Sequence, residues 1–278
     1  MSLPTFSRSA ELVAARVAAH HAAAIPAEFG TTWLEHDGGF VFSSLLWDDA
    51  RGALVGQDVQ GMRAGLRLHD LRWFLWRGDE VLAQRAVAGS TLAEARAWLR
   101  SAAVAAGLED KDVESATWEM PAAPVLDGAP FTQSSSADLE QLSRWFRFAA
   151  SAIEAVAAAQ SGASTTRVWP HHFDIATLIT LDPDKDAEEA RSVGVGLSPG
   201  DGGIAEPYVY VTPWPAPSDW VGPELPAGGI WHTEGWFGAV LRGGLLVDSS
   251  DARAALGAFL DQAIDTSLTL VRARASSD

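Results

Sequence analysis

Two periods of apolar residues alternate along this chain. From Ser7 to Ala24, Leu12, Val13 and Val17 lie on one side of an Ala-rich helix that the pattern ends before Pro26. Strand-like runs follow at Thr31 to Glu35, Phe40 to Trp47, Ala53 to Val59, Leu66 to Trp76 and Val81 to Val87. Asp37-Gly38-Gly39, Asp48-Asp49, Gly61 and Gly78-Asp79 separate them with the turn chemistry of antiparallel hairpins. Thr91 and Glu94 then read as a capping box that opens a helix from Leu92 to about Ala106, closed by Gly107.

After a stretch rich in Pro, Ala, Gly and Ser, the period returns to that of a helix. Leu139, Leu142, Phe146, Ala149, Ile153 and Val156 keep alternating three- and four-residue steps, which predicts a helix with one buried face. Strand patterns come next at Thr166 to Leu181, Val193 to Leu197, Tyr208 to Thr212 and Trp236 to Val247. A last helix runs from Asp251 to about Leu270. The order α, several β, α therefore occurs twice. This predicts an α+β protein of antiparallel sheets flanked by helices, with a first half over 1–120, a connector over 121–137 and a second half over 138–278, the two packed as one compact unit.

The two halves also share words. His69-Asp70-Leu71-Arg72-Trp73-Phe74 is echoed by His232-Thr233-Glu234-Gly235-Trp236-Phe237; Arg77-Gly78 and Arg242-Gly243 follow, and each is succeeded by an Ala-rich helix. Thr31-Thr32 and Thr165-Thr166 hold the same place after the first helix of each half. The echo predicts an internal duplication, two α-β(n)-α halves related by a pseudo-twofold.

Composition narrows the classes of function. The formal charge of −16 and the absence of any basic block among 20 Lys and Arg argue against nucleic acid and anionic membrane as partners. With no cysteine there is no disulfide, no thiolate metal site and no thiol nucleophile. Glu11, Arg16, His20 and His21 interrupt any apolar run near the start, and no stretch reaches the length of a membrane span, so the expectation is a cytoplasmic protein. A small-molecule ligand and a homo-oligomer are the partners that fit.

One constellation stands out: Trp169-Pro170-His171-His172-Phe173-Asp174-Ile175-Ala176, then Ser198-Pro199-Gly200, then Tyr208-Val209-Tyr210-Val211-Thr212-Pro213-Trp214-Pro215. It resembles a bacterial family of uncharacterised proteins, a domain of unknown function. That family's signature is an aromatic-Trp-Gly-Ser-Phe-Asp-Leu-Ala segment, then Trp-Pro-Gly, then Tyr-x-Tyr-x-x-Pro-x-Pro. Phe173, Asp174 and Ala176 match the first segment, Pro199 and Gly200 the second, and Tyr208, Tyr210, Pro213 and Pro215 the third. Pro130-Phe131 matches a Pro-Phe ahead of the long helix. The likeness covers the last two thirds of the chain; His171 and His172 depart from the family's small residues, and Leu197 stands where it has Trp. It implies a shared fold and carries no activity with it.

Read as chemistry, a strand through residues 171 to 174 would put His172 and Asp174 on one face, and a strand beginning by 231 would do the same for His232, Glu234 and Trp236. His172, Asp174, His232 and Glu234 are then candidate ligands for a divalent transition metal, or a candidate acid/base cluster. Trp169, Tyr208, Tyr210, Trp214 and Trp236 are candidate rings for a sugar, an aromatic or a cationic ligand. Gly196-Leu197-Ser198-Pro199-Gly200 has the letters of a nucleophile elbow, but Pro199 lacks the N–H that an oxyanion hole needs there. Gly194 and Gly196 lack the third glycine and the helix of a dinucleotide loop. Asp182, Asp184 and Asp186 start like a calcium loop, but Ala187 stands at its glycine and Val193 at its glutamate. Two readings follow. In one, the protein binds or acts on a small molecule in a Trp- and His-lined cleft between the halves, with metal assistance. In the other, it is a non-catalytic binding or assembly protein whose His/Asp/Glu cluster is a structural hydrogen-bond network.

Overall fold

The computed structural model describes residues 10–36, 39–186, 189–217 and 220–273. The expected helix start at Ser7, the turn at Asp37-Gly38 and Ala187 lie outside the described residues. The chain is α+β, with five α-helices and two antiparallel sheets of five and six strands among the described residues. It divides into two compact units. The first ends at Arg147 and also takes in Arg167–Phe173; the second consists of Phe148–Thr166 and the chain from Asp174 onward. No helix among the described residues is long and apolar enough to cross a membrane.

In the first unit, α1 (Ala10–Trp33) is followed by a meander of β1 (Leu46–Asp48), β2 (Ala53–Val55), β3 (Met62–Arg67), β4 (Arg72–Arg77) and β5 (Glu80–Ala86), then by α2 (Leu92–Ala105). Met62, Ala64, Leu66, Trp73 and Leu75 alternate onto one sheet face, each at most 2% exposed, and α1 packs there. The helix does not stop at Pro26 as the sequence predicts. Proline has no N–H to give the carbonyl of Ala22, four residues back. Trp73 Nε1–H donates to that carbonyl at 2.8 Å instead, so the helix continues and Thr31–Trp33, expected in a strand, are helical. The run Phe40 to Trp47 is likewise not one strand. Ser43 and Ser44 turn their hydroxyls back onto the carbonyls of Phe40 and Val41, which favours a 3₁₀ turn at Val41–Ser43 over a ladder.

The capping box forms as read: Thr91 Oγ1 accepts from the Glu94 N–H at 3.1 Å, and Glu94 accepts from the Thr91 N–H at 2.9 Å. From the connector, Phe131 is 3% exposed and edges against Trp73. The three- and four-residue spacing is that of α3 (Ser136–Ala159).

The second sheet runs in the order β10-β11-β9-β8-β7-β6. Its strands are β6 (Arg167–Trp169), β7 (Asp174–Thr180), β8 (Ser192–Ser198), β9 (Tyr208–Trp214), β10 (Ile230–His232) and β11 (Gly238–Arg242). The strand expected over Trp236 to Val247 ends at Arg242, where α4 (Gly243–Val247) begins. The Glu206 carboxylate accepts the N–H of Gly244 at 3.0 Å and so caps that helix. Last comes α5 (Ala252–Ala273).

The shared words sit in different surroundings. His69 lies in the turn from β3 to β4, and Arg77-Gly78 leads into another strand; His232 ends β10, and Arg242-Gly243 leads into a helix. The first sheet is a plain meander, whereas β11 is inserted between β9 and β10. The structure gives no support to a duplication.

Candidate functional site

The register of the second sheet sorts its side chains onto two faces. Ala176 pairs Gly196, Gly196 pairs Tyr210 and Tyr210 pairs Val240. By alternation Asp174, Ser198, Tyr208 and Arg242 share their face, and so do Gly194, Thr212, Gly238 and His232. The opposite face carries Ile175, Val193, Val195, Leu197, Val209, Val211, Ala239 and Leu241, each at most 1% exposed, and packs against α5. One face is thus core. The other is polar, with a floor of very small residues.

That floor is needed for the tyrosines. A Cβ on Gly196 would stand 2.3 Å from the Tyr210 hydroxyl oxygen and 2.4 Å from Cζ; only glycine lets the phenol lie across β8. In this pose Tyr210 donates its O–H to Asp174 Oδ2. Gly238 similarly admits the Trp236 ring, 2.8 Å from where a Cβ would be. Trp236 stands edge-on to Tyr210, with centroids 6.4 Å apart, and carries the His232 ring at 4.5 Å. Tyr208 donates to Asp201 Oδ2, while Asp201 Oδ1 accepts from the N–H groups of Gly203 and Ile204 at 2.7 Å each. Ile204, Tyr208 and Val240 pack together, with Tyr210 and Trp236 against them.

The electrostatics fix the protonation of the phenols. Burial, then the Asp174 charge and hydrogen bond, raise the Tyr210 pKa well above the ordinary phenol value. Burial, then the bond to Asp201, raise Tyr208 in the same direction. Both are held as O–H donors, and neither is suited to act as a base.

The strand expected through His171 and His172 is interrupted. Pro170 has no N–H for a ladder, and the Trp169 carbonyl accepts the N–H groups of His172 and Phe173 at 3.1 and 2.7 Å, closing a turn. Phe173 takes a positive φ of 56°. Consequently His172, which is exposed, and Asp174, which is buried, do not share a strand face. His171 lies instead among Trp118, Trp169 and His172, and burial lowers its pKa to about 4. His232 Nε2 donates to the carbonyl of Glu234 at 2.8 Å; the Glu234 side chain is exposed. Among the described residues no three His, Asp or Glu side chains come together to hold a metal ion, so the set His172, Asp174, His232 and Glu234 does not fit the divalent metal the sequence suggested. Trp169 is half-buried in β6, and Trp214 is half exposed at the end of β9.

The structure therefore gathers Asp174, Tyr208, Tyr210, Trp236 and His232, and adds Ser198, Asp201 and the glycines. A visible signal for the glycines was their spacing: Gly194 and Gly196 alternate on the strand paired with Tyr208-Val209-Tyr210. Ser198 Oγ accepts the Gly200 N–H at 3.1 Å, and a bend follows it, which is no nucleophile elbow. Asp182 holds Arg191 through both oxygens, at 2.6 and 2.7 Å. What fold and site define is an α+β protein with an aromatic and acidic cluster on the polar face of an antiparallel sheet. Comparison with protein-family models, with curated proteins and with solved structures gives no match.

Proposed function

We propose that the chain binds a small organic cation on the polar face of the second sheet, at the Asp174–Tyr210 pair. The observation that carries this is the Gly196 floor. A strand glycine costs stability, and here its lack of a side chain serves to lay a phenol onto a buried carboxylate beside Trp236 and His232. Aromatic faces and a carboxylate are complementary to a positively charged nitrogen, which desolvated rings hold by about 2 kcal/mol. Arg242, a guanidinium that the register puts on this face, is bonded to Glu206. The phenols, fixed as donors, serve orientation and give no general base, which favours binding over proton transfer.

The second reading, a structural network, is favoured at one place. Both Asp201 oxygens are taken by Tyr208 and by the turn N–H groups, so that pair ties the loop after β8 to β9. Binding belongs to Asp174, Tyr210, Trp236 and His232.

A thermal-shift screen of small amines, quaternary ammonium compounds, carboxylates and neutral sugars tests the proposal. At least one cation raises the unfolding temperature, and Asp174→Asn abolishes the shift. Stabilisation by anions or sugars alone, or an undiminished shift in Asp174→Asn, overturns it.

A further inference from the structure

Glycine in the interior of α5 calls for an explanation, since a helical glycine costs about 1 kcal/mol relative to alanine. A Cβ on Gly257 would meet nothing within 4 Å among the described residues. Nothing in the described fold uses its smallness. Gly257 instead lies on an outward groove of about 300 Å³ within the second unit, with Ala152, Ala155 and Val156 of α3 on one side and Leu256, Leu260 and Ile264 of α5 on the other.

The charges on the groove are arranged around that glycine. Arg253 stands four residues before Gly257 and Asp261 four residues after it; both line the groove and both are exposed. Eight residues of helix put them about 12 Å apart along the axis, too far to pair with each other. Neither is in an ion pair among the described residues. Residues 253, 257 and 261 form one row of the kind by which helices interlock. If a second α5 crosses antiparallel at Gly257, Arg253 of each copy comes opposite Asp261 of the other. An interface about a twofold axis requires such self-complementarity, in which residue i meets j and j meets i.

We propose that this groove is the interface of a homodimer, in which the α5 helices of two copies cross at Gly257 and form two reciprocal Arg253–Asp261 pairs. The glycine lets the backbones approach, the apolar flanks are covered, and the charges fix the antiparallel sense. The proposal stands independently of the cation site, which lies on the other face of the sheet from α5.

Sedimentation equilibrium of the full chain across the micromolar range is the test, with circular dichroism confirming that each variant is folded. Wild type is a dimer. Arg253→Asp and Asp261→Arg, each setting like charges opposite one another, weaken association by about tenfold or more. The double variant R253D/D261R restores it, because the pairs are rebuilt with their signs exchanged. Gly257→Leu, which keeps both charges, also dissociates the dimer. A wild type that is monomeric throughout, single variants that dimerise like wild type, or single variants that dissociate without rescue in the double variant would each overturn the proposal.

Discussion

Replacing Gly196 with alanine adds one methyl group, and it should be among the costliest substitutions on the polar face of the second sheet. The new Cβ would lie 2.3–2.4 Å from the Tyr210 hydroxyl oxygen and Cζ, well inside van der Waals contact. Tyr210 cannot simply lift away, because its O–H is bonded to Asp174 and its ring stands against Trp236. Overpacking of this kind costs about 1–3 kcal/mol. Losing a hydrogen bond to a carboxylate costs about 1.5–3 kcal/mol. Gly196→Ala should therefore destabilise the unit by roughly 2.5–6 kcal/mol, summing the two effects. The chain has only two tyrosines, Tyr208 and Tyr210, so urea unfolding followed through tyrosine ring signals reports on this unit alone. Gly202→Ala is the control, since a Cβ there meets nothing within 4 Å; it should be nearly neutral. In a Tyr210→Ala background the penalty of Gly196→Ala should fall below about 0.5 kcal/mol, the coupling that defines direct contact. The reasoning is refuted if Gly196→Ala matches wild type, or costs as much without the Tyr210 ring as with it.

Two further predictions concern the first unit. His20, buried against Phe173 with Nε2 donating to the Pro170 carbonyl at 2.7 Å, has its pKa lowered from 6.5 to about 4, chiefly by burial and further by the nearby His21, Arg16 and His172. The fold thus binds this proton more weakly than the unfolded chain does. Its stabilisation is full above pH 6.5 and is lost as pH falls towards 4, by on the order of 3 kcal/mol. His20→Gln should flatten the dependence of the unfolding midpoint on pH in that window, and an unchanged slope would contradict the assignment. Arg96 holds the fully buried Glu28 with two bonds of 2.9 and 2.7 Å. Arg96→Ala leaves that carboxylate without its cation, so urea unfolding should show a loss of about 3–5 kcal/mol; a loss under about 1 kcal/mol would show that Glu28 is satisfied without it.

The sequence discloses those elements whose stability is local. The Thr91–Glu94 capping box and the spacing of α3 from Leu139 to Val156 are contained in the segments that fold, and both are found as read. Pro26 misleads because its remedy is 47 residues away: the carbonyl it leaves free is taken by Trp73, and no local rule anticipates that. His171 and His172 mislead for the opposite reason. A strong strand pattern hides Pro170, whose missing N–H converts the segment into a turn. Asp174, Tyr208, Tyr210 and Trp236 are legible as candidates from residue type, but what brings them together is the pairing of β7, β8 and β9, which only the register of the sheet supplies. The echo of His69 to Phe74 in His232 to Phe237 is legible in the sequence, but the two segments sit in different neighbouring topology, a strand-to-strand turn in one case and the end of β10 in the other.

The most direct test of the cation site uses the same economy of tyrosine. With ring-labelled tyrosine, the protein gives NMR signals from Tyr208 and Tyr210 alone, both within the cluster. Titration with a cation that stabilises the protein should move the Tyr210 signals in step with saturation, and Tyr208 by less. A stabilising ligand that leaves both tyrosines unmoved binds elsewhere, and would contradict the assignment of the polar face as the binding site.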